Sequence, residues 1–101
     1  MLVEFSIMPL GAGEHVSEYV AEVLKLVDES GLDYRLHGMG TNVEGSWDEV
    51  MALIRRCHEQ VAKRCSRVYT QIKIDDSCGR TDAMTSKVAA VESRLGKKLR
   101  S

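Results

Sequence analysis

Apolar residues in this chain switch between two spacings, and the order of the switches leaves few folds open. From Leu2 to Met8, Val3, Phe5 and Ile7 alternate with Glu4, Ser6 and Met8, the period of a strand with one buried face. Pro9 is expected to end that strand, with Gly11-Ala12-Gly13 as a turn. From Val16 the period becomes helical: Val16, Val20, Val23, Leu24 and Val27 line one side, and Glu18, Glu22, Lys25 and Asp28 the other. Ser30-Gly31 stops the helix, Gly31 being suited to the left-handed position past its end. Asp33–His37 and Gly40–Glu44 read as two strands bent into a hairpin around Gly38–Gly40. Ser46 and Glu49 form a capping box that starts a second helix. Its expected inner stripe is Trp47, Val50, Met51, Ile54, His58 and Val61, and its end lies near Lys63. Arg67–Asp75 alternates again, with Val68, Thr70, Ile72 and Ile74 facing one way. After a polar loop at Ser77–Asp82, Met84, Val88, Val91 and Leu95 mark a last helix.

The order β-α-β-β-α-β, joined by right-handed crossovers, predicts an α+β fold. It is a ferredoxin-like sandwich over residues 1–101: a four-stranded antiparallel sheet, two helices on one face, and an extra C-terminal helix. The open face would carry Glu4, Ser6, Met8, Gln71 and Lys73. Met8, Tyr69 and the last helix's apolar stripe suggest a covered face, with a second subunit as the cover.

A formal net charge of −1 gives no basic face for nucleic acid and no attraction to an anionic membrane. RNA recognition on this fold needs exposed aromatics on the central strands, read here as the first and fourth. Phe5 points inward and Tyr69 alone is too little. Glu4 and Ser6 interrupt any leader-like run, and no stretch approaches the ~20 apolar residues of a membrane span. A cytoplasmic protein is expected. Cys57, Cys65 and Cys78 make neither a disulfide framework nor a C-x-x-C site.

The chemistry concentrates between Leu36 and Trp47, where glycines pinch two strands around His37, Thr41, Asn42 and Glu44. Glu44 at a strand end can accept two hydrogen bonds from an amino-substituted heterocycle, or it is simply a solvated carboxylate. Thr41 and Asn42 offer further polar groups, or bond their own turn. Trp47 can stack on a ring, or pack where helix meets sheet. Ser6 presents a hydroxyl on the open face. Catalysis has thinner support: His15 and His37 lie in turns, His58 sits on an inner stripe, and no nucleophile is poised beside a base. Asp75-Asp76 point to opposite sides of a strand, and Gly38-x-Gly40 lacks the spacing of a phosphate loop.

Several ordered segments resemble the small thiamine-binding-protein family of ferredoxin-like proteins. They are Pro9-Leu10-Gly11, Val16–Val20, Gly31-Leu32 with Tyr34, Met39-Gly40-Thr41 with Glu44-Gly45, Cys57-His58-Glu59, and Arg67-Val68 with Ile72–Asp76. Gly38 stands where that family commonly has proline, and Ser77-Cys78-Gly79-Arg80 departs from its usual charged run. The resemblance implies a βαββαβ fold that pairs into homodimers or homotetramers through sheet contacts. It also implies capture of thiamine or its hydroxymethylpyrimidine portion, without catalysis, cofactor or metal. The implied site is Ser6, Met39, Thr41 and Glu44 with an aromatic, Tyr34 or Trp47. Two rivals stand beside it: an enzyme acting on a thiamine precursor or breakdown product with His37 or His58 as base, and a ligand-sensing regulatory subunit.

Overall fold

In the computed structural model, which describes residues 1–101 except Ala12, Glu14 and His15, the expected elements appear in the expected order. Strand β1 is Leu2–Leu10, helix α1 Val16–Glu29, β2 Asp33–His37 and β3 Gly40–Glu44. Helix α2 is Trp47–Ala62, β4 Arg67–Asp75 and α3 Ala83–Leu95. The reading of His15, and of Ala12 in the first glycine turn, falls outside the described residues. All neighbouring strands are antiparallel, in the order β2-β3-β1-β4.

Local chemistry explains most boundaries. Gly31 takes φ +76° just past α1, a conformation costly for any residue with a Cβ. At α2, Ser46 Oγ accepts from the Glu49 N–H at 3.2 Å while the Ser46 N–H donates to Glu49 Oε1 at 3.4 Å. That reciprocal box satisfies amides the first helical turn would otherwise leave open.

The core lies between the sheet and α1 with α2. Val3, Phe5, Val43, Val23, Val27, Val50, Leu53, Ile54 and Val61 are all buried there. Two stripes differ from expectation. In α1 Tyr19 is buried and Val20 is exposed; the Tyr19 hydroxyl and ring reach Arg64, which anchors that side of the helix inward. In α2 Leu53 and Cys57 face the core, whereas Trp47 on the first turn stands outside it.

The centre of the sheet is β1 with β3, not the first and fourth strands; β4 is an edge. No aromatic occurs in β3, so a central aromatic platform is absent from this arrangement as well. Because α1 and α2 sit over the middle, Ile72 and Ile74 of β4 share the helix-facing side yet stay 40% and 39% exposed.

Strand β1 also runs through Pro9 instead of ending there, pairing Pro9 with Val68 and Leu10 with Arg67. The reason lies in the alternation of an antiparallel ladder, where successive residues bond to opposite neighbours. Met1 and Gly45 exchange both backbone bonds, at 3.0 and 3.1 Å. In the same register Val3 faces Val43 and Phe5 faces Thr41. Odd-numbered residues of β1 therefore turn their N–H and C=O toward β3, and even-numbered ones toward β4. The N–H that Pro9 lacks belongs on the β3 side, where β3 has already ended, so no ladder bond is lost.

Helix α3 lies on the other face of the sheet, over β3. The Arg35 guanidinium donates to Thr85 Oγ1 at 3.1 Å, and Lys87 pairs with Asp75. Part of the face expected to await a second subunit is thus covered by the chain's own last helix. Met84 is buried beneath it, but Val91 and Leu95 remain exposed.

Candidate binding site at the free edge of the first strand

Strand β1 has nine residues and β3 only five, and their pairing stops at Phe5 and Thr41. The chain instead turns at Gly38 and Met39, with α1 packed below. The length mismatch opens a cavity of about 230 Å3. Ser6, Ile7 and Met8 form one wall, Val20, Val23 and Leu24 of α1 the floor, and Leu36–Thr41 of the hairpin the other wall. Most of this lining is hydrocarbon. Thr41, only 3% exposed and on the helix-facing side, is its hydroxyl-bearing wall residue, while Ser6 borders it from the strand with its side chain on the open face.

Gly40 lets the hairpin close tightly on β1. A Cβ there would lie 2.9 Å from the Phe5 carbonyl oxygen, inside any real carbon–oxygen contact. His37 fastens the turn: its Nδ1 accepts from the Met39 N–H at 3.3 Å. That places the proton of the neutral ring on Nε2, which faces Asn42 Oδ1 at 3.1 Å and Glu4 at 3.4 Å. Both imidazole nitrogens are engaged in holding the hairpin.

Of the residues singled out from sequence, Ser6, Met39 and Thr41 meet at this cavity. Met39, 87% exposed, also borders a second groove on the opposite face, lined by Glu4, Ser6, Gln71 and Lys73. Tyr34, Glu44 and Trp47 lie elsewhere. The Tyr34 hydroxyl donates to Asp28 at 2.8 Å, a bond that raises its pKa above the usual tyrosine value. Trp47 is 53% exposed and is not among the residues that line this cavity.

The structure gives Glu44 a different task from reading a ligand. Strand alternation sends Thr41 and Val43 toward the helices and Glu44 to the far side. There it is 9% exposed, and its carboxylate accepts from the Ala83 N–H at 2.6 Å and the Met84 N–H at 3.1 Å. Asp82, the residue just before α3, has φ +59° and does not cap with its own side chain. Glu44 supplies that cap from another element, and its charge also suits the positive helix start. Asp33 and Asp82 bring carboxylate oxygens within 4.8 Å of Glu44. Each Glu44 oxygen in this acidic cluster already accepts from an amide of α3.

Among the other candidates, His58 Nδ1 bonds Thr70 Oγ1 at 2.6 Å, tying α2 to β4. Burial pushes the Cys57 thiol up to about 11, while Cys78 is exposed. The cavity residues that sequence reading did not single out as site residues include Val20, Val23 and Leu24, taken as core, and Ile7 and Leu36, read as strand.

The profile of the family described as "Thiamine-binding protein" matches residues 3–92. A UPF0045 protein of Mycobacterium bovis is 50% identical over 96 residues, covering 94% of each chain. A UPF0045 protein of Synechocystis is 38% identical over 96 residues, covering 94% of this chain and 79% of its own. A crystal structure of a hypothetical protein from Methanocaldococcus jannaschii superposes with a TM-score of 0.82 at 31% identity, covering 89% of this chain and 93% of that one. A Thermotoga maritima protein assigned provisionally to thiamine biosynthesis or salvage has a TM-score of 0.77 at 21% identity, covering 89% and 96%. The last likeness speaks for the shared fold alone. Among the described residues no helix is long and apolar enough to cross a membrane.

Proposed function

We propose that this chain, which belongs to the thiamine-binding protein family, captures the pyrimidine ring of thiamine or free hydroxymethylpyrimidine in the cavity between β1, α1 and the glycine hairpin, without a chemical step. The observation that carries this reading is the size and lining of that cavity. At about 230 Å3 it falls below the roughly 300–1,000 Å3 typical of drug-sized ligands, so it suits one substituted ring. Apolar side chains of α1 and Leu36 cover the ring faces, and the Thr41 hydroxyl meets a polar group of the ring. A second ring, the thiazolium, would extend past Met39 toward solvent. Non-catalytic capture is also supported by His37 and His58, whose imidazoles are bound to Met39, Asn42 and Thr70.

The same reading includes self-association through the open sheet face. Met8 and Tyr69 are paired neighbours there, both exposed, and Val91 and Leu95 of α3 are exposed as well.

Isothermal titration tests the ligand. Hydroxymethylpyrimidine and thiamine are expected to bind at one per chain with affinities within about tenfold of each other, because only the pyrimidine is enclosed. Thr41→Val, which keeps shape and removes one hydroxyl, should weaken both by about 0.5–1.5 kcal/mol. Absence of heat with either compound on folded, ligand-free protein would end the proposal.

A further inference from the structure

We infer that the ligand's amino-substituted edge is read by the main chain of Ile7, whose N–H and C=O face the cavity as an unused rung of the β1 ladder. This inference rests on the binding function proposed above and names the groups that confer its specificity.

The geometry follows from the register. Met1 with Gly45, Val3 with Val43 and Phe5 with Thr41 are the successive bonded pairs between β1 and β3. The next pair in the series would join Ile7 to Met39. That pair does not form, because β3 begins at Gly40 and Met39 belongs to the hairpin turn. The Met39 N–H is given to His37 Nδ1 instead. Toward β4, Ile7 is opposite Thr70 in an unbroken register, in which the even-numbered residues of β1 make the bonds. The N–H and C=O of Ile7 therefore point into the gap that the missing β3 residues leave, and Ile7 lines the cavity there.

One residue of an antiparallel ladder offers a donor and an acceptor side by side, and its natural partner offers an acceptor and a donor. A 4-aminopyrimidine carries that complement on one edge: the ring nitrogen accepts from the Ile7 N–H, and the exocyclic amino group donates to the Ile7 C=O. A peptide strand is a poorer partner for the same edge. The next odd position is Pro9, which has no N–H, so a strand laid along β1 would find its next rung incomplete. Leu24 and Val23 below and the hairpin opposite bound a cavity of about 230 Å3, room for one ring rather than a strand. A buried donor and acceptor that only the correct ring satisfies discriminate strongly against analogues that lack either group.

Amide hydrogen exchange followed by NMR tests this directly. In the free protein the Ile7 amide should exchange about 100-fold faster than those of Val3 and Phe5, although its side chain is buried like theirs. Saturating hydroxymethylpyrimidine should slow Ile7 by roughly tenfold or more and move its proton resonance downfield. The analogue with methyl in place of the 4-amino group should bind at least about tenfold more weakly. If hydroxymethylpyrimidine binds while Ile7 exchange is unchanged and the methyl analogue binds as well, the main-chain reading is overturned and the cavity reading survives. If neither compound binds folded protein, both are overturned.

Discussion

Glu44→Gln separates a carboxylate that reads a ligand from one that holds a helix. The substitution preserves shape and turns one acceptor oxygen into an NH2 donor. Of the Ala83 and Met84 amides, now bonded at 2.6 and 3.1 Å, one then meets a donor or nothing. A buried polar group left unpaired costs about 1–3 kcal/mol, and the surviving bond loses its charge assistance, a further ~1 kcal/mol. The sum of about 2–4 kcal/mol falls on α3 and not on the whole domain. Detaching α3 exposes both amides to water, and outside the Glu44 cap α3 is held mainly by Met84, the Arg35–Thr85 bond and the Lys87–Asp75 pair. Native-state hydrogen exchange is the assay. Amides of α3 should lose protection by about 30- to 1,000-fold, the range equivalent to that energy, while Val3 and Phe5 keep theirs. Hydroxymethylpyrimidine affinity, by titration calorimetry, should stay within about threefold of the parent. Retained α3 protection together with lost binding would refute the reasoning and return Glu44 to the site.

Other perturbations probe the cavity and the core. Gly40→Ala places a Cβ 2.9 Å from the Phe5 carbonyl oxygen, so β3 must shift off β1 at their last pair. A loss of about 1–3 kcal/mol in urea unfolding is expected, and an unchanged midpoint would show that the hairpin has slack. Val20→Trp, on an exposed part of the α1 surface that borders the cavity, should fill the slot and weaken pyrimidine binding by more than about tenfold. Its thermal midpoint should change little, since Val20 contributes little to the core. For the thiols, a folded Cys57 with its pKa at about 11 is ~1% thiolate at pH 9, where an unfolded cysteine is more than half ionised. The raised value means this contribution to stability is intact below the unfolded pKa and is lost as pH climbs toward about 11. Iodoacetamide at pH 9 should therefore label Cys78 first and Cys57 only after denaturant is added; early labelling of Cys57, read by mass spectrometry, would contradict its burial.

What sequence alone determined here is what short-range physics controls. The capping box at Ser46 and Glu49, the left-handed Gly31 and the strict alternations of β1 and β4 each arise within a few neighbouring residues. Element order and most bounds followed from them, and the element order pointed to the sandwich. Pro9 was misleading because its effect depends on which neighbour its absent N–H would have faced, a property of register rather than of proline. Periodicity likewise assigns a residue to a face but not to a partner. Glu44 looked like a strand-end carboxylate open to a ligand, until α3 placed two amides against it from 39 and 40 residues away. Val20 looked like core until the short β3 left nothing above it. The cavity itself belongs to no segment. It exists because a nine-residue strand is paired with a five-residue one, and such a gap appears only when the chain closes its sheet and backbone groups on one strand are left without a partner.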